Sequence, residues 1–254
     1  MKKILKFGGS SIANAERIQQ VLSIIENTLN SSHEIFVVIS AFQGVTDALI
    51  KIGTTVRDGK YNETSLSEIL SKHEEIIMQL GLDTDMHLGT HFKQLSSELE
   101  KHIPRCPGAS VDFKMWMDEL LCYGELFSVR ILTGLLRSKH IDAELLDARK
   151  VVVTDSNYGN AYVHYQRSYD RIRSYVSNRS RLQIITGFLG ANEYGKATTL
   201  GRSGSDYSAS IFGAALNVDE IEIWTDVDGI LTANPKFVNE PRSISELTYE
   251  EAME

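Results

Sequence analysis

The residues best suited to chemistry begin with a lysine and a glycine pair near the amino terminus, in the run Lys6-Phe7-Gly8-Gly9-Ser10. A strand-like apolar pattern ends at this pair, and a helical pattern begins near Asn14. Glycines let a backbone approach a ligand, helix-start amides attract anions, and lysine supplies a compact charge for phosphate. Because the lysine precedes the glycines, unlike in a P-loop, the run predicts another class of phosphate-handling enzyme. An ordinary strand-to-helix turn with a solvated lysine remains the alternative.

Two further polar segments carry groups that could bind anions. The loop Gly201-Arg202-Ser203-Gly204-Ser205-Asp206 can present backbone amides, a forked cation and a nearby carboxylate. In the alternative interpretation, Asp206 only caps the following helix. The segment Thr225-Asp226-Val227-Asp228-Gly229 follows an apolar strand pattern, and ligands of open α/β sheets lie beyond such strand ends. Its Asp-Gly step also favours a plain turn.

Three polar residues lie beside apolar segments. Ser40 and Thr46 stand where an apolar run ends and a helix begins, so their hydroxyls could contact a polar substrate or cap that helix. Glu125 lies within an apolar helical stretch, where a carboxylate is costly unless it is paired or used, for example to receive an ammonium. An exposed glutamate beside the apolar stripe is the alternative. His87 and His91 have the i, i+4 spacing, but no second motif converges on them, which disfavours a metal site.

The elements that must position these residues alternate between strand and helix. Continuous apolar runs such as 34–41 are typical of parallel strands buried on both faces. The pattern predicts an α/β protein, a three-layer αβα sandwich with a mostly parallel central sheet. Predicted strands cover 2–7, 34–41, 141–146, 151–154, 182–190 and 220–227; predicted helices cover 14–29, a segment from Thr46, a block at 64–138 with breaks near 81–84 and 104–111, and 205–217.

Composition narrows the classes of partner. The chain has 254 residues and a formal net charge of −8, which argues against a nucleic-acid or anionic-membrane partner. It shows no membrane-length apolar run and no secretory signal, and its two cysteines form no disulfide framework, so we expect a cytoplasmic setting. Thr248 and Glu251 have the capping-box spacing that begins a helix, and the chain stops three residues later, so we expect the sequence to be cut from a longer protein.

Three segments, those beginning at Lys6, Gly201 and Thr225, occur in the order seen in aspartokinases of the amino-acid kinase superfamily. The resemblance extends across about residues 4–254. Several of the chain's sequence segments are most similar to the kinase domains of bifunctional aspartokinase–homoserine dehydrogenases. The resemblance implies an amino-acid kinase fold that is C-terminally truncated here. Residues 1–254 would form the catalytic domain, with an aspartate-binding lobe at about 1–190, containing the helical block, and an incomplete nucleotide lobe at 191–254.

The resemblance also implies a reaction, in which ATP phosphorylates the side-chain carboxylate of L-aspartate with Mg²⁺ as cofactor. This is the first step of lysine, threonine and methionine biosynthesis. No side chain is assigned as a direct metal ligand. The implied catalytic residues are Lys6 and Asp206; the implied ATP- and phosphate-binding residues are Lys6, Gly8, Gly9, Ser10, Gly204, Ser205, Thr225, Asp226, Leu231 and Lys236; the implied aspartate-binding residues are Ser40, Thr46, Glu125 and Arg202.

Some positions depart from the family pattern. Ser203 stands where many relatives have glycine or asparagine, Leu231 replaces a common tyrosine, and Lys236 replaces a common arginine. The family's later Gly-Ala-Lys-Val motif and its regulatory domains are absent from this sequence. Two alternatives remain: another amino-acid kinase, acting on N-acetylglutamate, glutamate or UMP, or a non-catalytic ligand-binding module of this fold. The full-length protein is expected to form a homo-oligomer.

Overall fold

The computed structural model describes residues 1–31, 34–227, 229–233, 237–248 and 250–251. Its centre is a five-stranded sheet in which every neighbouring pair is parallel, in the order β3-β5-β2-β1-β8. A second sheet has the order β4-β6-β7 and contains one antiparallel pair. The strands are β1 (Lys2–Phe7), β2 (Glu34–Ile39), β3 (Glu144–Leu146), β4 (Val153–Thr154), β5 (Leu182–Thr186), β6 (Leu189–Asn192), β7 (Ala197–Thr199) and β8 (Glu220–Trp224).

Seven labelled α-helices connect and cover these strands in the part of the chain that is described. The block predicted at 64–138 consists of three of them, with breaks close to the two predicted positions. Asn14 precedes α1 and accepts a hydrogen bond from the Arg17 amide at 2.9 Å, as its predicted capping role requires. The helices are α1 (Ala15–Ser31), α2 (Val45–Arg57), α3 (Thr64–Gln79), α4 (Met86–His102), α5 (Phe113–Ser138), α6 (Tyr165–Val176) and α7 (Gly204–Leu216).

Strands β1, β2 and β5 of the central sheet are buried on both faces, which confirms the predicted αβα layering, whereas the edge strand β8 is largely exposed. Leu5, Phe7 and Val37 point to one face and pack in a core with helices α1 to α5. Ile4 and Phe36, the alternate residues of the same strands, pack in a second core with α6 and α7. This two-sided burial explains why the strands read as continuous apolar runs and not as an alternating pattern.

The boundaries differ from the sequence prediction in two instructive places. The single strand predicted at 182–190 is two strands, because Gly187 and Phe188 break the run and send β6 into the second sheet. Helix α6 was not predicted, since it is polar overall and only Ser168 and Ile172 of its twelve residues are buried, so its apolar face is narrow although it is well separated from the polar face. Within the described residues, no helix is both long and apolar enough to cross a membrane.

Candidate active site

An ion pair joins two of the predicted motifs. Lys6 lies on β1, an interior strand of the five-stranded sheet, and its Nζ is 2.6 Å from Oδ1 of Asp206 in the first turn of α7. The Lys6 side chain is 11% exposed, whereas that of Asp206 is 44% exposed, so the pair is open to solvent on the carboxylate side. The two alternative interpretations, a solvated lysine and a helix-capping aspartate, are therefore wrong. Lys6 is largely buried in an ion pair, and Asp206 lies beyond the cap position of α7, which is Ser203.

The glycine pair shapes the turn that follows Lys6. Gly8 lies beside the ammonium, since a Cβ atom there would be 3.5 Å from Lys6 Nζ. Gly9 approaches the next loop so closely that a Cβ atom would lie 2.9 Å from the carbonyl oxygen of Ala41. Ser10 begins a single 3₁₀ turn, and its carbonyl accepts a hydrogen bond from Arg17 at 2.8 Å. At Gly9, the small residue is required by the protein's own backbone packing.

Glu125 is a buried carboxylate at the end of β2. It lies in α5, is 3% exposed, and accepts a hydrogen bond through Oε1 from the Ala41 amide at 3.1 Å. Its Oε2 has no hydrogen-bond partner among the described residues. Burial raises the pKa of Glu125 to about 8, because the charged form loses its water. The alternative of an exposed glutamate beside the apolar stripe is wrong.

The two predicted hydroxyl residues flank the same strand end. Ser40 directly follows β2, is half-buried, and accepts a hydrogen bond through its carbonyl from Ser128 at 2.7 Å. Thr46 is half-buried in the first turn of α2, whose cap residue is Gly44. Within the described chain no hydrogen bond involves either side-chain hydroxyl, and Gly44 leaves no helix-capping role for Thr46.

The loop before α7 holds the other predicted residues. Arg202 is exposed and has no ion pair within the described ranges. Ser203 has φ 54°, a left-handed conformation that glycine and asparagine adopt more readily than serine. Gly204 and Ser205 start α7 and are buried. The family's glycine or asparagine at position 203 therefore corresponds to a backbone requirement that this chain meets with serine.

Sequence reasoning missed the turn between β5 and β6. A Cβ atom on Gly187 would lie 2.6 Å from Ser205 Oγ, so this turn packs directly on the start of α7. Phe188 has φ 66°, and its amide donates to Ser208 Oγ at 2.9 Å while its carbonyl accepts from the Leu200 amide at 2.9 Å. A glycine inside a strand pattern is the signal that could have found it.

A second buried carboxylate, Asp118, was also missed. It is 1% exposed and lies in α5, seven residues before Glu125. Its carboxylate accepts hydrogen bonds from the amide and hydroxyl of Thr199 and from the amide of Gly159. The signal was available, because an aspartate within an apolar helical stretch carries the same cost that singled out Glu125.

The residues after β8 lie at the edge of the sheet. Thr225 and Asp226 are exposed, and the threonine hydroxyl donates to the aspartate at 3.1 Å. They follow Trp224, which pairs in register with Phe7 and stacks on its ring, so they lie at the same end of the sheet as Gly8. Leu231 is half-buried and forms an antiparallel bridge with Ser243. Asp228 and Lys236 lie outside the described residues.

The carboxyl ends of three neighbouring strands thus collect groups of complementary chemistry. The Lys6 cation and the amides near Gly8 suit a phosphoryl group, and Thr225 extends this edge toward β8. At β2, the unpaired oxygen of Glu125 suits an ammonium, with Ser40 close by. No cluster of three His, Cys, Asp or Glu side chains that could hold a metal occurs among the residues described. The arrangement can therefore bind an anion and a cation side by side.

Comparisons with known proteins agree with this geometry. The model of the amino acid kinase family matches residues 1–254. The chain is 34% identical to an aspartokinase of Chlamydia pneumoniae, covering 98% of this chain and 53% of that protein. It is 33% identical to a bifunctional aspartokinase/homoserine dehydrogenase of Buchnera aphidicola, covering 99% of this chain and 31% of that protein. The chain therefore spans about a third to about half of these relatives' length.

A solved structure is similar at the level of the whole fold. The structure of Escherichia coli aspartokinase III in complex with aspartate and ADP superposes with a TM-score of 0.86 at 27% identity. The match covers 96% of this chain and 53% of that one.

Proposed function

Since this chain belongs to the amino acid kinase family, we propose that it phosphorylates the side-chain carboxylate of L-aspartate with ATP. The observation that carries the proposal is the buried carboxylate of Glu125, whose Oε2 has no hydrogen-bond partner among the described residues. A buried, half-satisfied carboxylate is costly unless a ligand cation completes it. The ammonium of an amino acid supplies such a cation, and the Lys6 cation is available for the phosphoryl group.

The aspartate-binding side consists of four residues. Glu125 would receive the substrate ammonium, and the hydroxyls of Ser40 and Thr46 would bind its polar atoms beside it. Arg202, exposed and without an ion pair in the described chain, would bind a substrate carboxylate with its planar fork. We assign this side to a lobe of about residues 1–190, to which the loop at 201–206 contributes the arginine.

The phosphate-binding side centres on the ion pair. Lys6 would neutralise charge on the transferred phosphoryl group, with Asp206 holding its ammonium in place at 2.6 Å. The backbone of Gly8, Gly9 and Ser10 would approach the phosphates. At the start of α7, Gly204 and Ser205 would do the same with helix-start amides. Thr225, Asp226, Leu231 and Lys236 would contact the nucleotide in a lobe that begins near residue 191.

The chemistry needs little beyond positioning. The attacking carboxylate of aspartate is ionised at neutral pH, so no strong general base is required. Catalysis then depends on alignment and on neutralising the equatorial phosphoryl oxygens. Mg²⁺, when bound with the nucleotide, would supply further charge neutralisation, and a site with few protein ligands suits it because it usually retains phosphates and waters. Asp206, which pairs with Lys6, would help to orient the waters of the metal ion.

The relatives support the choice of substrate. The matched Chlamydia protein is an aspartokinase, and the similar Escherichia coli structure holds aspartate and ADP. N-acetylglutamate lacks the free ammonium that Glu125 would need, and UMP lacks it as well. The proposal therefore predicts selectivity for an amino acid with a free amino group.

Calorimetric titration with L-aspartate, N-acetyl-L-glutamate and UMP tests this function. We expect saturable binding of aspartate alone, lost in Glu125→Gln and retained in Glu119→Gln, a matched change on the same helix. Among the described residues, the ion pairs of Glu119 are with Lys196 at 3.5 Å and His102 at 3.9 Å, and neither partner belongs to the proposed site. A folded protein that binds N-acetyl-L-glutamate or UMP in place of aspartate would overturn the substrate assignment.

A further inference from the structure

A cavity of about 450 Å³ lies between α4, α5 and the edge strand β3, and the proposed reaction makes no use of it. Its lining combines apolar groups, Leu88 and Leu145, with two arginines, Arg130 and Arg137. Arg130 and Glu125 are five residues apart in α5, so their side chains leave the helix about 140° apart. The cavity therefore opens on a different face of α5 from the candidate active site.

Arg130 is a half-buried cation with no carboxylate in direct contact among the described residues, although Asp147 and Glu98 are close enough to favour its charge. Its Nη1 donates to the Leu126 carbonyl of its own helix at 3.2 Å, and no ion pair to Arg130 occurs in the described chain. Arg137 donates through Nε to the Ala143 carbonyl at 2.9 Å and likewise has no ion pair there. Partly buried charge without a close counter-ion is unfavourable at Arg130, and the exposed Arg137 has donors beyond Nε, so both guanidiniums are available to an anion from solution.

The acidic residue of the lining does not neutralise these arginines. Asp85 caps α4, and its Oδ1 accepts the amides of His87 and Leu88 at 2.9 and 3.0 Å. The cavity thus has an excess of positive charge on a chain whose formal net charge is −8. The chain as a whole repels anions at long range. An anion bound in this cavity would therefore be held by direct contacts with the arginines, which indicates a specific ligand.

The histidine pair gives the cavity a second polar wall. His87 and His91 line it, their ring centroids are 4.4 Å apart, and Nδ1 of His91 bonds to the His87 carbonyl at 2.8 Å. That bond leaves Nε2 of His91 free to contact a ligand. No group of three His, Cys, Asp or Glu side chains placed to hold a metal ion occurs among the described residues, so the spacing of the two histidines is better explained by a shared cavity than by a metal.

We propose that this cavity binds a small organic anion, a carboxylate or a phosphate monoester with an apolar body, at a site separate from the candidate active site. The arginine forks match the geometry of such anions. Leu88 and Leu145 accommodate the apolar part, and the volume is within the range of small-molecule sites. The inference does not depend on which substrate the enzyme phosphorylates.

Titration of the protein with phenyl phosphate, followed by calorimetry, tests the site. We expect saturable 1:1 binding that neither aspartate nor ATP displaces, and much weaker binding of phenol, which has the ring without the dianion. Arg130→Gln should weaken binding about tenfold or more, since it removes a charge-assisted fork. Arg171→Gln, a matched loss of charge on the exposed side of α6, should leave binding unchanged.

Three results would overturn the proposal: no saturable binding by the folded protein, equal loss in Arg130→Gln and Arg171→Gln, or displacement by ATP. The thermal midpoint of each variant shows whether it is folded. Because the titration measures phenyl phosphate binding directly, a wrong assignment of aspartate as the substrate would not obscure the outcome. If Arg130→Gln fails to fold, Arg137→Gln decides, because that side chain is exposed and its loss leaves the core intact. Unchanged binding in Arg137→Gln would then contradict the site.

Discussion

Asp118 and Thr199 are joined by two hydrogen bonds across the interior, although 81 positions separate them. Oδ2 of Asp118 accepts from the Thr199 amide at 2.9 Å, and Oδ1 accepts from the Thr199 hydroxyl at 2.8 Å. Thr199 precedes the loop that carries Arg202, and Asp118 lies two helical turns before Glu125. The pair therefore connects the two parts of the proposed aspartate site.

Asp118→Asn should weaken this connection. Its amide oxygen can still accept from the backbone amides of Gly159 and Thr199, but its amide nitrogen then faces the Thr199 hydroxyl, and the carboxylate charge that strengthens these bonds is lost. We expect the free energy of unfolding to fall by about 1–3 kcal/mol and the affinity for aspartate to fall as well. Urea denaturation and calorimetry measure the two effects. Thr199→Val, which removes only the hydroxyl bond, should show smaller changes in both; an aspartate affinity unchanged in Asp118→Asn would refute the positioning role.

Lys6→Met removes the cation proposed to neutralise the phosphoryl group. Turnover of the full-length protein should fall about a hundredfold or more, the usual cost of losing one preorganised charge donor, while calorimetric binding of aspartate persists. Lys3→Met is the matched control on the same strand, since Lys3 pairs with Glu220 and Glu222 at 2.6 and 2.8 Å, away from the site. Turnover that survives in Lys6→Met would sink the proposed mechanism.

Binding of aspartate should release protons at neutral pH. Burial raises the pKa of Glu125 to about 8, so at pH 7 about nine-tenths of the carboxyl is protonated before the ligand arrives. A bound ammonium favours the ionised form and lowers this pKa. Calorimetry in two buffers of different ionisation enthalpy should report just under one proton released, and affinity should rise with pH up to about 8.

The control for this prediction is the uncharged variant. Glu125→Gln has no carboxyl proton to lose, so any residual binding should proceed without proton release. Should the wild-type protein bind aspartate with no buffer dependence at pH 7, Glu125 would not be the group that receives the ammonium.

His73 should make the protein less stable in mild acid. It is fully buried between Phe42 and Phe127, and burial lowers its pKa from 6.5 to about 4. The unfolded chain therefore binds a proton more tightly, so stability falls as pH drops from about 6.5 toward 4, by up to about 3 kcal/mol from this residue. Urea denaturation across this range should show a flatter pH dependence in His73→Gln.

His140→Asn is the control for this pH effect, because His140 is exposed and its left-handed φ of 60° suits asparagine. It should retain the wild-type slope. Parallel slopes in the wild type and His73→Gln would mean that another group causes the acid sensitivity.

The left-handed Ser203 predicts the effect of changing one loop residue. Asparagine tolerates φ near 54°, so Ser203→Asn should raise the free energy of unfolding by up to about 1 kcal/mol. A β-branched residue is strained there, and Ser203→Val should lower it by about 1–2 kcal/mol. Thermal unfolding measures both; a valine variant as stable as the wild type would show that the loop takes another conformation in solution.

The amino-acid sequence by itself determined the layers of this protein. Continuous apolar runs such as Ile35 to Ile39 require burial on both faces, and that requirement predicts a parallel sheet between helices. Helical periodicity located most helices, and the glycine-flanked lysine and arginine indicated where anions would bind. These signals are local, because propensity, periodicity and turn chemistry act over a few neighbouring residues.

Only the tertiary structure decided which of these residues meet. Lys6 and Asp206 pair because β1 lies between β2 and β8 and α7 packs against it, an arrangement set by a strand order that differs from the order in sequence. The burial of Glu125 depends on α5 packing against the end of β2, and the left-handed turn at Phe188 depends on its contact with α7. Such relationships come from long-range packing, which no local window of sequence contains.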